Sequence, residues 1–213
     1  MRPFIVFCFI FAALTCQAQT IQDFFNDKAG QVTWLGIDYS QVKLIGEFTQ
    51  FKDAGAYNPA EVRDKYFPAW NTLVLNEPSK YDFKGMFMLS NLVPDIDMIT
   101  KLNATADPDK IKGYTENKFS CDDIRKIVGK YGLAGKEGLG IVIIANALNK
   151  TTELASYVVV VLNMKDREVL LCEPIAENAG GIGIRNYWGG PLYNLVKDGK
   201  KNLYWAWKGK YEK

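Results

Sequence analysis

"LASYVVVVLNMKDREVLLCEPI", Leu154 to Ile175, decides the fold. Two runs of apolar and β-branched residues flank the polar triplet Lys165-Asp166-Arg167, so they read as a β-hairpin. Both runs are apolar on both parities, and strands of that kind belong in the middle of a sheet covered on two faces. "EGLGIVIIANAL" (137–148) precedes them as a third strand of the same type.

Upstream, "QVTWLGIDYSQVKLIGEF" (31–48) carries Val32, Trp34 and Gly36 on one parity and a polar break from Asp38 to Gln41, which predicts one bent strand or two short ones. In "YNPAEVRDKYFPAWNTLVLNEP" (57–78), Asn58 is the cap, Pro59 the first helical position and Glu61 the third. Val62, Tyr66, Ala69, Trp70 and Leu73 then share a face, and Pro68 kinks or splits the helix. Ile96 to Leu102 reads as a strand, and "NATADPDKIKGYTENK" (103–118) as a loop. "FSCDDIRKIVGKYG" (119–132) is a second helix, capped by Ser120 and ended by Gly132. From Asn186 to Trp207, Leu192, Leu195, Val196, Gly199, Leu203 and Trp207 recur at helical spacing; a helix throughout is preferred to a strand at the end. The expectation is an α/β (or α+β) chain: a single mixed sheet with about three helices packed on it, and a C-terminal hairpin followed by a helix.

The first eighteen residues pair Arg2 with an apolar block from Phe4 to Leu14 and end at Ala18, the pattern of a secretory signal peptide cleaved after Ala18. The block is too short to span a membrane. Lipidation at Cys16 is the competing reading, although Ala13-Leu14-Thr15 departs from the usual sequence before an acylated cysteine. Residues 19–213 are then one globular domain, periplasmic or secreted. The full chain has a formal net charge of +2, and residues 1–18 carry Arg2 alone among charges, so the exported part is nearly neutral. That balance disfavours a nucleic-acid binder, which needs a basic face to displace counterions.

Export leaves two cysteines, Cys121 and Cys172. They read either as buried small hydrophobes or as one disulfide, with a reactive thiol as the functional alternative. The chain contains no histidine. This removes the commonest general base, the Ser/His and Cys/His pairs and the imidazole ligands of zinc. No motif calls for a cofactor: "GKYGLAGKEGLG" has the wrong glycine spacing, Glu137 after Lys136, and a helix-to-strand setting, none of which suits a phosphate loop.

"VTWLGIDYSQVKLIG" (32–46) together with "GGIGIRNYWGG" (180–190) resembles the opening and closing signatures of an uncharacterised secreted family of gut bacteria. The resemblance implies export and a shared fold, and no activity. The hairpin leading into a glycine-rich bend and terminal helix is similar, at the level of pattern, to outer-membrane assembly lipoproteins of the curli-export type, over the last third of the chain.

The candidate sites follow. Gly181 and Gly183 leave a strand toward a helix start near Asn186, so the bend is read either as a turn alone or as an anion cradle presenting Arg185 and Trp188. Glu173, Glu177 and Asp38 are the carboxylates beside predicted core strands, and paired carboxylates at a suitable separation run glycoside hydrolysis. Pro174 between the two glutamates argues for an edge or bend instead. Asp95 and Asp97 would share one side of a strand, half of a cation site. Trp34, Trp70, Trp188, Trp205 and Trp207 are read as a sugar-stacking surface or as core packing. The leading expectation is a non-catalytic exported domain that binds an envelope component, a protein partner or a small anionic ligand; the alternative is a carboxylate-dependent glycoside hydrolase acting on polysaccharide.

Overall fold

Of the hairpin's two strands, the first lies inside the sheet as expected, but the second forms its edge, where Pro174 needs no ladder partner for its nitrogen. The computed structural model describes residues 19–48 and 58–212, so the leader read over residues 1–18 lies outside the described residues. The long strands are β4 (Leu139–Asn149), β5 (Leu154–Asn163) and β6 (Val169–Asn178), a continuous antiparallel meander. On the far side of β4, β1 (Val32–Asp38) runs parallel to it, and β3 (Leu92–Pro94) runs parallel to β1. The sheet is mixed, six-stranded, with order β3-β1-β4-β5-β6, and β2 (Lys43–Ile45) joins β4 beyond the end of β1.

Alternation along the strands explains why the apolar runs have no polar parity. Ile141, Ile143, Tyr157 and Val159 point to one core, while Val142, Ile144, Val158 and Val160 point to another. The first core is closed by α1 (Ile21–Phe25), α3 (Phe67–Asn76), α4 (Phe83–Met86), α8 (Ile184–Asp198) and α9 (Tyr204–Tyr211). Across the sheet, Ile99 of α5 (Asp97–Ala104) and Ile124, Ile127 and Val128 of α7 (Cys121–Val128) close the second. More helices than three therefore cover the sheet.

Asn58 caps α2 (Pro59–Glu61) by accepting from the Glu61 N–H at 2.9 Å. A π-helical turn, Val62–Tyr66, then leads into α3, whose second residue is Pro68. The missing proline N–H disturbs the regular ladder at this point, as its position in the sequence predicts. Ser120 and Asp123 cap α7 reciprocally, and the helix ends at Gly129 rather than Gly132. The C-terminal segment is helical throughout, with a π turn at Gly199–Leu203 between α8 and α9.

Two readings are corrected. Residues 96–102 are not a strand: the strand of this region is β3, and Asp97 opens α5, which buries Ile99 and Asn103 four residues apart. The β-branched residues suggested a strand, but burial at helical spacing outweighs that propensity. The stretch 103–118 is not wholly a loop either, since it holds α6 (Pro108–Ile111), started by Asp107 and Pro108.

Candidate functional site

The first strand is interrupted where its neighbour is also irregular. β1 pairs with β4 as far as Asp38 opposite Ile144, and β2 resumes at Lys43 opposite Ala147. Residues 39–42 leave the ladder there. At the same level β4 inserts Asn146 as a bulge against β5. Bulges and breaks free backbone groups that must find other partners if buried.

Asparagine side chains supply them. Asn117 Nδ2 donates to the carbonyls of Gln41 (2.6 Å) and Asn146 (3.3 Å), bridging the break and the bulge. Along the outer edge of β1, where β3 has already ended, Asn71 accepts from the Ile37 N–H (2.7 Å) and donates to the Ile37 carbonyl (3.0 Å). Asn103 donates to that carbonyl at 2.8 Å and accepts from the Tyr39 N–H at 2.7 Å. Gly36, at φ 103°, fits beside Asn71, where a Cβ would stand 2.6 Å from Oδ1. Asp38 is buried and accepts from the Tyr131 hydroxyl (2.7 Å) and the Ser40 N–H (2.8 Å). Burial, followed by the Asp38 charge, holds the Tyr131 hydroxyl well above the usual tyrosine range.

Two concavities flank Asn117. One, of about 320 Å³, lies at the carboxyl end of β1 between Ser40, Lys43 and Lys110. The other, of about 490 Å³, opens over the sheet beyond the start of α7 and is lined by Glu116, Phe119, Asn146, Ser156, Pro174 and Ala176. Its walls are built: Glu116 accepts from the Asn149 amide (3.0 Å) on Oε1 and from the Ser156 hydroxyl (3.2 Å) on Oε2. Asn146 is only 7% exposed, and its Oδ1 has no hydrogen-bond partner. The first concavity has the position where ligands of open α/β sheets gather, beyond the carboxyl end of a parallel strand, whereas the second lies on the face of the antiparallel strands β4–β6.

The residues singled out from sequence are distributed differently. Gly181 (φ 127°) and Gly183 (φ 79°) form the bend out of β6, and Gly183 itself precedes the first helical residue, Ile184. Asn186 is thus inside the first turn of α8 and not its cap; its amide donates to the Ile182 carbonyl at 3.1 Å. Trp188 is fully buried and stacks on Phe48 with ring centroids 5.6 Å apart, so it is not presented to a ligand. Arg185 reaches back to Glu77 at 3.1 Å in a pair with both side chains partly exposed, 43% and 36%. Its carbonyl accepts from the Trp70 indole at 3.1 Å, tying the start of α8 to α3.

Glu173 is buried and held by Lys210 (2.6 Å) and the Tyr211 hydroxyl (2.8 Å). Burial, and secondarily Asp198, raises the Glu177 carboxyl above the ordinary range. Four residues of extended strand separate the two glutamates by about 13 Å at the backbone, beyond the spacing of about 5 to 9.5 Å used by glycosidases. Asp38 stands on the opposite face, against Tyr131.

Asp95 follows β3 and pairs with Lys136, whereas Asp97 heads α5, so the two do not share a strand face. Among the described residues no group of three or more His, Cys, Asp or Glu is placed to hold a metal ion. Trp34, Trp70, Trp188 and Trp207 are core residues, and Trp205 is 53% exposed, which leaves no tryptophan platform. Cys121 and Cys172 are joined as a disulfide between the first turn of α7 and β6, Cα atoms 6.0 Å apart.

Sequence reasoning missed Asn71, Asn103, Asn117, Asn146 and Glu116. One signal was available: Asn146 interrupts an otherwise apolar run, where an amide needs a reason. Asn117 carries no comparable mark, because its partners lie 76 and 29 residues away.

Fold and groove together define a mixed α/β chain with a disulfide-tethered helix over one sheet face and a polar opening where its first strand breaks. Comparison with protein families, with curated proteins and with solved structures returns no match to this chain.

Proposed function

We propose that the chain is an exported, non-catalytic binding domain that engages an envelope component, a protein partner or a small ligand through the groove beside Asn146. One observation carries this reading: beside the bulge at Asn146 the groove sets a half-buried carboxylate, Glu116, fixed by Asn149 and Ser156, against an apolar wall of Phe119, Pro174, Ile175 and Ala176. The disulfide supports export, because such bonds persist in oxidising compartments. The sequence patterns of residues 1–18 and the two family resemblances point the same way. Among ligand classes, an anion at Arg185 loses support because Glu77 already engages that guanidinium.

Mass spectrometry of the native protein tests export, with a chain beginning at Gln19 expected and a lipidated start at Cys16 the contrary result. Amide NMR titration with soluble envelope fragments and short peptides tests binding. Shifts confined to residues 116–120, 146, 156, 175 and 176, with the added molecule recovered intact, are expected. New reducing ends or cleaved peptide at catalytic turnover overturns the non-catalytic reading, and shifts confined to residues 180–185 return the site to the glycine-rich bend.

A further inference from the structure

Resting on that reading of the groove, the geometry points to a ligand class: we infer that the opening beside Asn146 takes a cationic amine, an alkylammonium or guanidinium group on an apolar stem. The walls carry one carboxylate, Glu116. Each carboxylate oxygen of Glu116 accepts one bond from a neutral donor, Asn149 or Ser156, and keeps acceptor capacity to spare. Asn146 Oδ1 accepts none but lies beneath the groove surface, so Glu116 is the acceptor that a ligand meets. Asn117 Nδ2 is committed to two backbone carbonyls. A ligand that uses the spare capacity of Glu116 must bring donors.

Charge narrows the choice further. Among the described residues no lysine or arginine forms an ion pair with Glu116, so its charge is balanced only by neutral dipoles. An anionic ligand would meet this carboxylate as a like charge. A calcium ion would need about six to eight oxygen ligands, and one carboxylate with one amide falls far short. An ammonium has three donors and no acceptor, and a guanidinium has five. Lys118 is exposed at the rim, where it opposes a cation through solvent.

The remaining wall is apolar, formed by Phe119, Pro174, Ile175 and Ala176. Long basic side chains lay their methylene stems on such surfaces and place the charged head at a polar end. Lysine or arginine side chains of a partner peptide have this form.

The probe is Nα-acetyl-lysine N-methylamide, titrated into the full exported chain and followed by the amide signals of Phe119, Ser156 and Ala176. Saturable shifts are expected, with affinity at least about tenfold lower for the Nε-acetylated probe, which keeps the stem and loses the charge. Glu116→Gln keeps its oxygen for the Asn149 amide and can donate its new NH2 to the Ser156 hydroxyl, so it should lower affinity for the charged probe by a similar factor at little change in melting temperature. Lys118→Ala should raise affinity or leave it unchanged. Equal binding of charged and acetylated probes, or indifference to Glu116→Gln, overturns the inference, as does the absence of saturable shifts at high millimolar probe. If a neutral or anionic compound instead shifts these same residues, the groove stands as a binding site and only its assignment to cations falls.

Discussion

The two halves of the sheet solve one problem in opposite ways. In β4–β6 the backbone N–H and C=O groups are paired strand to strand over ten positions on β4–β5, interrupted at the Asn146 bulge, and the side chains at the centre of β4 and β5 pack into the two cores. Along β1 and β2 the ladder is bulged, broken and then abandoned at its outer edge, and Asn71, Asn103 and Asn117 stand in for missing strands. Both solutions satisfy buried polar groups. The two meet at Asn117, which closes the break in the first half and walls the groove that opens over the strands of the second.

The largest expected effect probes buried tyrosines on both sides of this contrast. Burial pushes the hydroxyls of Tyr39 and Tyr131, which border the break, and of Tyr157 in β5 well above the usual range. Folded, these groups keep their protons while the unfolded chain loses them near pH 10, so the stability they confer is full below that pH and falls as pH rises. Three such groups give a slope of about 4 kcal/mol per pH unit above the unfolded value. Denaturant melts between pH 9 and 12, paired with tyrosinate absorbance, check this: the three should ionise only on unfolding. Early titration of Tyr39 and Tyr131 but not of Tyr157 would show the broken side opening on its own.

The disulfide is next. It closes a span of 51 residues between α7 and the regular strands, and its loss in the double variant Cys121→Ala/Cys172→Ala should cost about 4 kcal/mol on the chain-entropy account. Chemical denaturation of that variant measures it, and a loss under about 1 kcal/mol contradicts that account.

Asn71→Ala tests the comparison directly. It strands the buried Ile37 N–H and removes one of two donors to its carbonyl, for about 3 kcal/mol. Ile143→Val, which trims one buried methyl from the regular half, should cost about 1 kcal/mol. If the order of the two is reversed in urea melts, the asparagines are accessories and the ladder alone holds β1.

The smallest effect belongs to the bend. Arg185→Ala breaks a partly exposed pair with Glu77 and should change stability by about 0.5 kcal/mol, with the probe affinity of the groove unaltered. A loss of several kcal/mol would make Arg185 a structural brace between α8 and α3.

Legibility follows the range of the interactions. The three apolar strands, the Asn58 and Ser120 helix starts, the disturbance at Pro68 and the helical C-terminus were readable because periodicity, caps and proline act over a few residues. Residues 96–102 misled because isoleucine and threonine favour strands locally, and only packing of Ile99 and Asn103 against the sheet makes them helical. Trp188 looked available beside glycines, yet the rotation of α8 turns it onto Phe48. The sequence by itself determined that this chain has a sheet with two apolar faces, helices to cover them and no histidine chemistry, since composition and period need no knowledge of distant partners. Whether Cys121 and Cys172 meet, which carboxylates are already paired, and where Asn117 closes a broken strand beside Asn146 were decided by the tertiary structure alone. Those contacts join residues tens of positions apart, and a side chain acquires its partner only when the folded backbone brings that partner within hydrogen-bond reach.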